Sequence, residues 1–282
     1  MRCLPPCSKE THMSNPIKIH SALAEAMSAR SYDTMTPVQE AVLDIEQPDA
    51  DLLVSAQTGS GKTLAFGLSI ATTLLQEDTE FSRPKLPVAL IIAPTRELAL
   101  QVRKELEWVY ARTNAQFASC VGGMDPRAER RTLESGAHIV VGTPGRLRDH
   151  IERGALRLSD IKAVVLDEAD EMLDMGFRED LTFILEKAPV SRRTLLFSAT
   201  VPAQIAKMAR TYQKEAIRIS VSSTTTQHLD ISYHALKIQP SDRDKSIINL
   251  LRYHDVSGAI VFCNTRAAVT HLASVSYTHL TL

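Results

Sequence analysis

The residues that could do chemistry fall into two widely separated segments. Ser55–Thr63 is rich in glycine and ends in Lys62-Thr63, and Asp167-Glu168-Ala169-Asp170 follows a short apolar run. A glycine-rich loop that opens a helix can hold phosphates with its backbone N–H groups. Carboxylates at the end of a strand can supply a divalent cation and an attacking water. The two segments together therefore predict a magnesium–nucleotide site.

Each residue of this site has an expected role. Lys62 would reach the β- and γ-phosphates, the Thr63 hydroxyl and Asp167 would hold Mg²⁺, and Glu168 would orient or deprotonate the attacking water. One alternative is a glycine-rich turn that ends in Lys-Thr by chance; another is a solvated acidic helix start. The expected phosphate-loop residues are Ala56, Thr58, Gly59, Ser60, Gly61, Lys62 and Thr63.

Ser198-Ala199-Thr200 is a third polar segment, between an apolar run and Pro202. Its hydroxyls could cap the next helix. They could also bond to the carboxylates at Asp167–Asp170 and so couple the nucleotide state to domain movement. Spacing alone favours the cap.

The elements that must position these residues alternate between short apolar strands and helices, a pattern typical of a parallel sheet covered on both faces. The predicted strands are Asp51–Val54, Val88–Ala93, Gln116–Val121, His138–Val141, Ile161–Leu166 and Thr194–Phe197. Helical spacing also precedes the first strand, around Leu23, and Thr36-Pro37 should open a second helix. Further helices are predicted at Lys62–Gln76, Thr95–Tyr110, Pro126–Leu133, Arg146–Arg153, Asp180–Lys187 and Pro202–Tyr212.

The domain organisation follows from changes in this pattern. Residues 1–12 are an N-terminal extension without periodicity, and Met13 is an alternative start. Residues 13–220 form one α/β domain, and 221–230 form a polar linker. Residues 231–274 restart the pattern, with strands at Ile231–Ile238 and Ala259–Cys263 and helices at Asp242–His254 and from Arg266. Two strands and two helices cannot bury a core independently, so this second domain is incomplete.

Composition sets broad limits on the class of protein. The 282 residues are 44% hydrophobic and 23% charged, with a net charge of -1, so no overall basic field attracts nucleic acid. No apolar run approaches the roughly 18 residues that cross a bilayer, and the default compartment is the cytoplasm. Four cysteines do not form a disulfide framework. Cys3, Cys7 and His12 lack the second ligand pair that zinc requires.

The chain resembles DEAD-box ATP-dependent RNA helicases of superfamily 2, from about Ile17 to Ala273. The matching segments occur in the order typical of the family. They are Thr36-Pro37-Val38-Gln39, Ala56–Thr63, Pro94–Ala99, Gly122-Gly123, Thr143-Pro144-Gly145-Arg146, Asp167–Asp170, Ser198–Thr200 and Ile260–Asn264. The resemblance implies a RecA-like parallel sheet with helices on both faces, followed by the start of a second RecA-like domain.

The same resemblance implies roles for further residues. Gln39 would read adenine and, with Tyr32 and Thr36, bind the nucleotide; Ile17 stands where the family has an aromatic that stacks on the base. Sequence-independent contacts to the RNA backbone are implied for Pro94, Thr95, Arg96, Gly122, Gly123, Thr143, Pro144, Gly145 and Arg146. A plain strand-to-helix turn is the alternative for each of these segments. Asp170, Ser198 and Thr200 would couple the two domains.

The resemblance weakens at the end of the chain. The family's second domain carries an arginine-rich segment that reaches the γ-phosphate, and no arginine follows Arg266. Residues 275–282 depart from the family pattern; we interpret them as an artefact joined to a truncated gene or, alternatively, as the end of a genuine short form.

Two functions remain open. The first is an ATP-dependent RNA helicase that uses ATP and Mg²⁺, of which this chain is a fragment with little activity of its own. The second is a non-catalytic ATP- and RNA-binding module. A DNA-directed helicase or an unrelated P-loop ATPase fits the segments less well.

Overall fold

The computed structural model describes residues 19–221, 232, 234–255 and 258–280. The chain divides into two compact units, with the boundary between Thr224 and Thr225. The predicted extension at 1–12 lies outside the described residues, as do Ile17 and residues 222–230 of the predicted linker. Cys3, Cys7 and His12 also lie outside them, so the zinc alternative has no structural counterpart here.

The first unit is built on one seven-stranded sheet with the order β3-β4-β2-β5-β6-β1-β7. Every pair of neighbouring strands is parallel, which confirms the predicted α/β class. The strands are β1 (Leu52–Ala56), β2 (Ala89–Ile92), β3 (Phe117–Cys120), β4 (Ile139–Gly142), β5 (Ala163–Leu166), β6 (Arg193–Ser198) and β7 (Ile217–Val221).

Helices connect successive strands, as parallel pairing requires. Two short helices, α1 (Ser21–Ser28) and α2 (Pro37–Leu43), precede the sheet. The helices between the strands are α3 (Lys62–Leu75), α4 (Arg96–Val109), α5 (Pro126–Ser135), α6 (Pro144–Glu152), α7 (Ala169–Asp174), α8 (Arg178–Lys187) and α9 (Ala203–Tyr212). Several start at predicted signals: Thr95 caps α4 by accepting a hydrogen bond from the Leu98 N–H, and α2 begins at Pro37.

Both faces of the sheet are buried. Successive residues of a strand point to opposite faces, and the central strands place apolar side chains on each. Val54, Val165 and Phe197 belong to one buried cluster, and their neighbours in sequence belong to the other. Leu53, Val164 and Leu196 are those neighbours. Both faces therefore exclude water, which explains why the central strands are continuously apolar rather than alternating.

The sequence-based prediction missed the seventh strand. Residues Ile217–Val221 pair with β1 at one margin of the sheet, and only Ile219 is buried. An edge strand keeps polar residues on its exposed face and so lacks the continuous apolar run that marked the other strands. Val221 therefore ends β7 and does not begin a linker.

The second unit differs more from its prediction. Its described residues contain a short 3₁₀ turn at Pro240–Asp242, then α10 (Arg243–His254) and α11 (Arg266–Leu280). The strands predicted at Ile231–Ile238 and Ala259–Cys263 form no ladder in the described parts, residues 232, 234–238 and 259–263. A strand exists only through hydrogen bonds to a neighbour, and among these residues no neighbour is available.

Among the residues that the structure describes, no helix combines the length and the apolar character that a membrane span needs.

Candidate functional site

The glycine-rich loop leaves β1 and enters α3, the context that phosphate binding requires. Gly59 and Gly61 have φ angles of +80° and +86°, a region that other residues enter at a cost. Gly61 is also the residue before α3, so its left-handed conformation turns the loop into the helix. A Cβ on Gly61 would lie 2.6 Å from Gln39 Nε2, so no side chain fits there.

Lys62 is buried at the first position of α3 and closes the loop on itself. Its Nζ donates to the Ala56 carbonyl at 3.3 Å and lies 3.9 Å from Glu168 Oε1. Thr63 is also buried, and the Ser60 hydroxyl donates to the Gln57 carbonyl. The loop is therefore preorganised, and its lysine already touches the carboxylate segment.

Thr58 makes the second contact between the two predicted halves of the site. Its hydroxyl donates to Glu168 Oε1 at 3.3 Å, across 110 positions of sequence. Glu168 has a φ of 52°, an unusual conformation for a residue with a side chain, and it directly precedes α7. Strained backbone of this kind is common where a side chain is held for function. Glu168 thus starts a helix, as one alternative predicted, while its carboxylate lies against the phosphate loop.

Asp167 is the most buried acid of the segment, with 2% of its surface exposed. Its Oδ1 is buried without a hydrogen-bond partner among the described residues. Burial raises the pKa of the Asp167 carboxyl to about 7, although the Lys62 charge opposes that change. An unpartnered buried carboxylate oxygen is the donor that Mg²⁺ prefers, so the residues present fit this cation.

Thr200 makes the second of the two contacts that its sequence position allowed, a link to the acidic segment rather than a helix cap. Its N–H and its hydroxyl both donate to Asp170 Oδ2, at 2.9 and 2.8 Å. α9 begins only after Pro202, and no side chain caps it, so the expectation of a cap was wrong. Burial opposes ionisation of Asp170, but the neighbouring Ser198 and Thr200 outweigh it and lower the pKa of this carboxyl. Ser198 itself ends β6, fully buried.

Gln39 connects α2 to the phosphate loop. Its Nε2 donates to the Gly61 carbonyl at 3.2 Å and to the Tyr32 hydroxyl at 3.1 Å, while its Oε1 accepts from the Thr36 N–H at 3.0 Å. The side chain is completely buried. Both ends of the Gln39 amide are therefore hydrogen-bonded within the protein.

The three segments expected to contact RNA follow β2, β3 and β4, which occupy one half of the sheet. The acidic segment, Ser198–Thr200 and the glycine-rich loop follow β5, β6 and β1 in the other half. The carboxyl ends of parallel strands lie at the same edge of a sheet. Both groups of segments therefore lie at this edge, one group in each half.

Contacts join these segments to one another. Arg96 is exposed, and its guanidinium lies beside Gly123, where a Cβ would come within 3.0 Å of Nη1. Pro94 ends the buried segment before Thr95, and Gly122 has open space around it. The Thr143 N–H donates to the Cys120 carbonyl, so the ends of β3 and β4 are tied together. Pro144 and Gly145 open α6, where Arg146 is partly exposed.

Two residues of this region had not been predicted from sequence. Glu129 on α5 and His150 on α6 are buried and contact each other at 2.7 Å, and Glu129 also pairs with Arg146. Glu129 shares the buried face of α5 with Leu133, four residues later. The sequence did carry a signal for the burial of Glu129, because residues four positions apart lie on the same face of a helix and Leu133 is apolar.

Comparison with known proteins agrees with this geometry. The family model described as DEAD/DEAH box helicase matches residues 36–208. The chain is 37% identical over 249 residues to the DEAD-box ATP-dependent RNA helicase CshA of Geobacillus kaustophilus, covering 88% of this chain and 52% of that protein. It is 40% identical over 256 residues to DEAD-box ATP-dependent RNA helicase 53 of Oryza sativa, covering 89% and 42%. The chain thus spans about half the length of such curated relatives.

Solved structures give the same result for the fold. A DEAD box protein from Methanococcus jannaschii aligns with a TM-score of 0.67 and 31% identity, over 93% of this chain and 69% of that one. A hypothetical ATP-dependent RNA helicase from Sulfolobus tokodaii aligns with a TM-score of 0.64, also at 31% identity, over 72% and 57%. The sheet is therefore RecA-like, and the chain belongs to the DEAD/DEAH box helicase family.

Proposed function

We propose that the first unit binds ATP with Mg²⁺ and the backbone of RNA, and that the protein to which this sequence belongs is an ATP-dependent RNA helicase. The observation that carries the proposal is the contact between the phosphate loop and the acidic segment, through Thr58, Lys62 and Glu168. A loop and a carboxylate that meet in this way can hold a phosphate and a water against each other.

Each side chain has a defined part in this proposal. Lys62 and the backbone N–H groups at the start of α3 bind the phosphates, and Gly59 and Gly61 let the loop turn around them. Thr63 and Asp167 would hold Mg²⁺, which neutralises phosphate charge when bound. Glu168 orients the attacking water and accepts its proton. The Asp170–Thr200 link would pass the state of this site to the loop after β6.

The proposed RNA contacts suit binding without sequence specificity. Thr95, Thr143 and the glycines after β3 lie at strand-to-helix turns, where the N-terminus of a helix and an exposed arginine can meet phosphate oxygens. With a net charge of -1, the chain offers local rather than global attraction for RNA. We expect little discrimination between RNA sequences.

For the 282-residue chain itself we propose little turnover. An arginine from a second domain contributes on the order of 10³-fold or more to phosphoryl transfer in related chemistry, and no arginine follows Arg266. The second candidate function, a non-catalytic ATP- and RNA-binding module, describes the same chain if no longer form exists. The division into a first domain that ends with β7, a linker up to residue 230 and an incomplete second domain belongs to this proposal.

The test is equilibrium binding of a fluorescent ATP analogue with Mg²⁺, followed by steady-state hydrolysis with and without single-stranded RNA. Lys62→Ala should weaken analogue binding by more than about tenfold, the equivalent of one lost charged contact. Lys207→Ala, an exposed lysine on α9, is the matched control and should bind normally. Equal binding by the two variants would contradict the nucleotide site.

Hydrolysis separates the two candidate functions. We expect near-background turnover from this chain and no stimulation by RNA. In a longer protein that includes the arginine segment, RNA should stimulate turnover and Glu168→Gln should abolish it while the analogue still binds. Brisk RNA-stimulated turnover by the 282-residue chain would show that the distant arginines are unnecessary.

A further inference from the structure

A buried carboxylate joins the segments that follow β3 and β4. Glu129 lies on α5 and is 5% exposed. Its Oε1 accepts a hydrogen bond from the Val121 N–H at 2.8 Å. Its Oε2 lies 2.7 Å from Nε2 of His150 and accepts from Nη1 of Arg146 at 3.2 Å. Both oxygens are therefore committed to groups outside α5.

These partners sit next to the proposed RNA contacts. Val121 immediately precedes Gly122 and Gly123. Arg146, besides its bond to Glu129, donates to the Met124 carbonyl at 3.4 Å, on the far side of the same glycines. Glu129 thus binds the residue before the two glycines. Arg146, which is itself hydrogen-bonded to Glu129, binds the residue after them.

A metal site is the other chemistry that these residues could offer. Ligand atoms of Cys120, Glu129 and His150 lie within 4.8 Å of one another. Metals bind the thiolate, however, and burial followed by the charge of Glu129 raises the pKa of the Cys120 thiol far above its ordinary value. Arg146 also places a positive charge against the carboxylate. The cluster therefore favours a hydrogen-bonded clamp rather than a cation.

We propose that Glu129 is a positioning residue for RNA binding, which fixes the Gly122-Gly123 loop and Arg146 at one spacing. The inference rests on the proposed RNA-binding function. Successive phosphates lie at fixed intervals along a strand, so two protein segments can grip one backbone only if their own separation is fixed. A buried carboxylate with three donors supplies that rigidity, because moving either segment leaves a buried polar group unpaired.

Three variants separate the contributions. Glu129→Met keeps the length and apolar stem of the side chain and loses all three contacts. Glu129→Gln can accept from the Val121 N–H, and its NH₂ can donate to the His150 ring. The NH₂ cannot accept from Arg146, so the bond from Arg146 Nη1 is lost while the bond from Arg146 to the Met124 carbonyl remains. Glu134→Gln is the control, since Glu134 lies on the same helix and forms an exposed ion pair with Arg130.

The measurement is binding of a fluorescein-labelled oligouridylate of about ten nucleotides to the 282-residue chain at low salt. Binding of a fluorescent ATP analogue is measured on the same samples. We expect Glu129→Met to weaken RNA binding by about tenfold or more, and Glu129→Gln by about threefold. Glu134→Gln should match the wild type, and ATP-analogue affinity should stay within about twofold throughout, because the nucleotide half of the edge is untouched.

Hydrogen exchange provides a second readout. The amides of residues 121–123 should exchange faster in Glu129→Met and normally in Glu129→Gln, which keeps the acceptor for Val121. If the Met variant unfolds, the loss of RNA affinity by about threefold expected for Glu129→Gln decides the question.

Several outcomes would overturn the inference. RNA binding by both Glu129 variants at wild-type strength would do so while leaving the proposed function intact. Parallel loss of RNA and ATP-analogue binding would show a general structural role. If the wild-type chain binds the ATP analogue but no RNA, the proposed RNA function fails, and the inference fails with it.

Discussion

At the scale of single residues, the surroundings of Asp167 are unfavourable to a charge. It is almost completely buried, one of its oxygens has no partner among the described residues, and burial raises its pKa to about 7. An acid whose folded-state pKa is raised keeps its proton up to a higher pH in the folded protein than in the unfolded protein. Its contribution to stability is therefore present at low pH and is lost as pH rises toward 7.

This argument predicts that Asp167→Asn removes a pH dependence of stability. Without nucleotide and divalent cation, the wild type should lose unfolding free energy between about pH 4 and pH 7, on the order of a few kcal/mol, relative to the variant. Urea unfolding in the presence of a chelator, at pH 5 and pH 8, measures the difference. Asp174→Asn is the control, because Asp174 is an exposed acid at the end of α7, the helix that follows Asp167. A constant difference between wild type and Asp167→Asn at both pH values would contradict the prediction.

Two properties require glycine at position 61: its positive φ angle and the close approach of the Gln39 side chain. Gly61→Ala should destabilise the fold, because alanine pays roughly 1–2 kcal/mol at this φ and its methyl group meets the Gln39 amide. ATP-analogue affinity should fall with it, since the loop must shift. Gly154→Ala isolates the conformational cost: Gly154 has a φ of +71° and open space around it. Thermal unfolding and analogue titration of both variants measure the two effects; equal loss in both would mean that the contact with Gln39 is unimportant.

At the scale of elements, one contact joins the segments that follow two adjacent strands, β5 and β6. Asp170 belongs to α7, which follows β5, and Thr200 belongs to the loop that follows β6. β5 and β6 are adjacent in the sheet, so a hydrogen bond at this edge ties their following segments together. Such a contact can transmit a shift in one segment to the other.

We therefore predict that Thr200→Val loosens this loop without disturbing the nucleotide site. The variant keeps the shape of the side chain and loses the hydroxyl donor to Asp170, and about 1–2 kcal/mol of stability should go with it. Thr211→Val on α9 is the control, because its hydroxyl reaches only a carbonyl of its own helix. Urea unfolding and ATP-analogue binding are the measurements. A large loss of nucleotide affinity in Thr200→Val would assign Thr200 to the nucleotide site instead.

At the scale of the whole molecule, both proposed binding functions lie on the first unit. The proposed phosphate, magnesium and coupling residues follow β1, β5 and β6, and the proposed RNA residues follow β2, β3 and β4. The described residues of the second unit form two helices, α10 and α11, and include several exposed apolar side chains, among them Tyr253, Ile260 and Phe262. Each unit is compact in itself.

This division predicts that residues 1–224 alone bind the ATP analogue as tightly as the 282-residue chain, within about twofold. Every contact described for the nucleotide site lies within the first unit, so removal of residues 225–282 removes none of them. Isothermal titration of the two chains, with melting curves to check folding, measures the comparison. A truncated chain that folds but binds much more weakly would place nucleotide contacts in the second unit.

The sequence predicted those strands whose position is marked by a pattern within a short segment of the chain. Six strands were evident because both faces of the sheet are covered, which makes their sequences continuously apolar. β7 was missed because an edge strand such as Ile217–Val221 is mostly exposed. Strand propensity alone misled at Ala259–Cys263, where no neighbour pairs with the strand.

The site shows the same division between local and long-range information. Lys62, Thr63, Asp167 and Glu168 could be identified from sequence because their types, and their places at strand ends, carry the chemistry by themselves. That they share one edge follows from parallel pairing, which the alternation of strands and helices already indicated.

Only the tertiary structure decided how these residues are connected. The strand order separates the half of the edge with the proposed nucleotide residues from the half with the proposed RNA contacts, and no local pattern encodes that order. The Thr58–Glu168 contact, the Gln39–Gly61 contact and the burial of Glu129 against Arg146 likewise join residues distant in sequence. Hydrogen bonds of this kind depend on the packing of entire helices and strands, whereas residue chemistry and periodicity are properties of short segments.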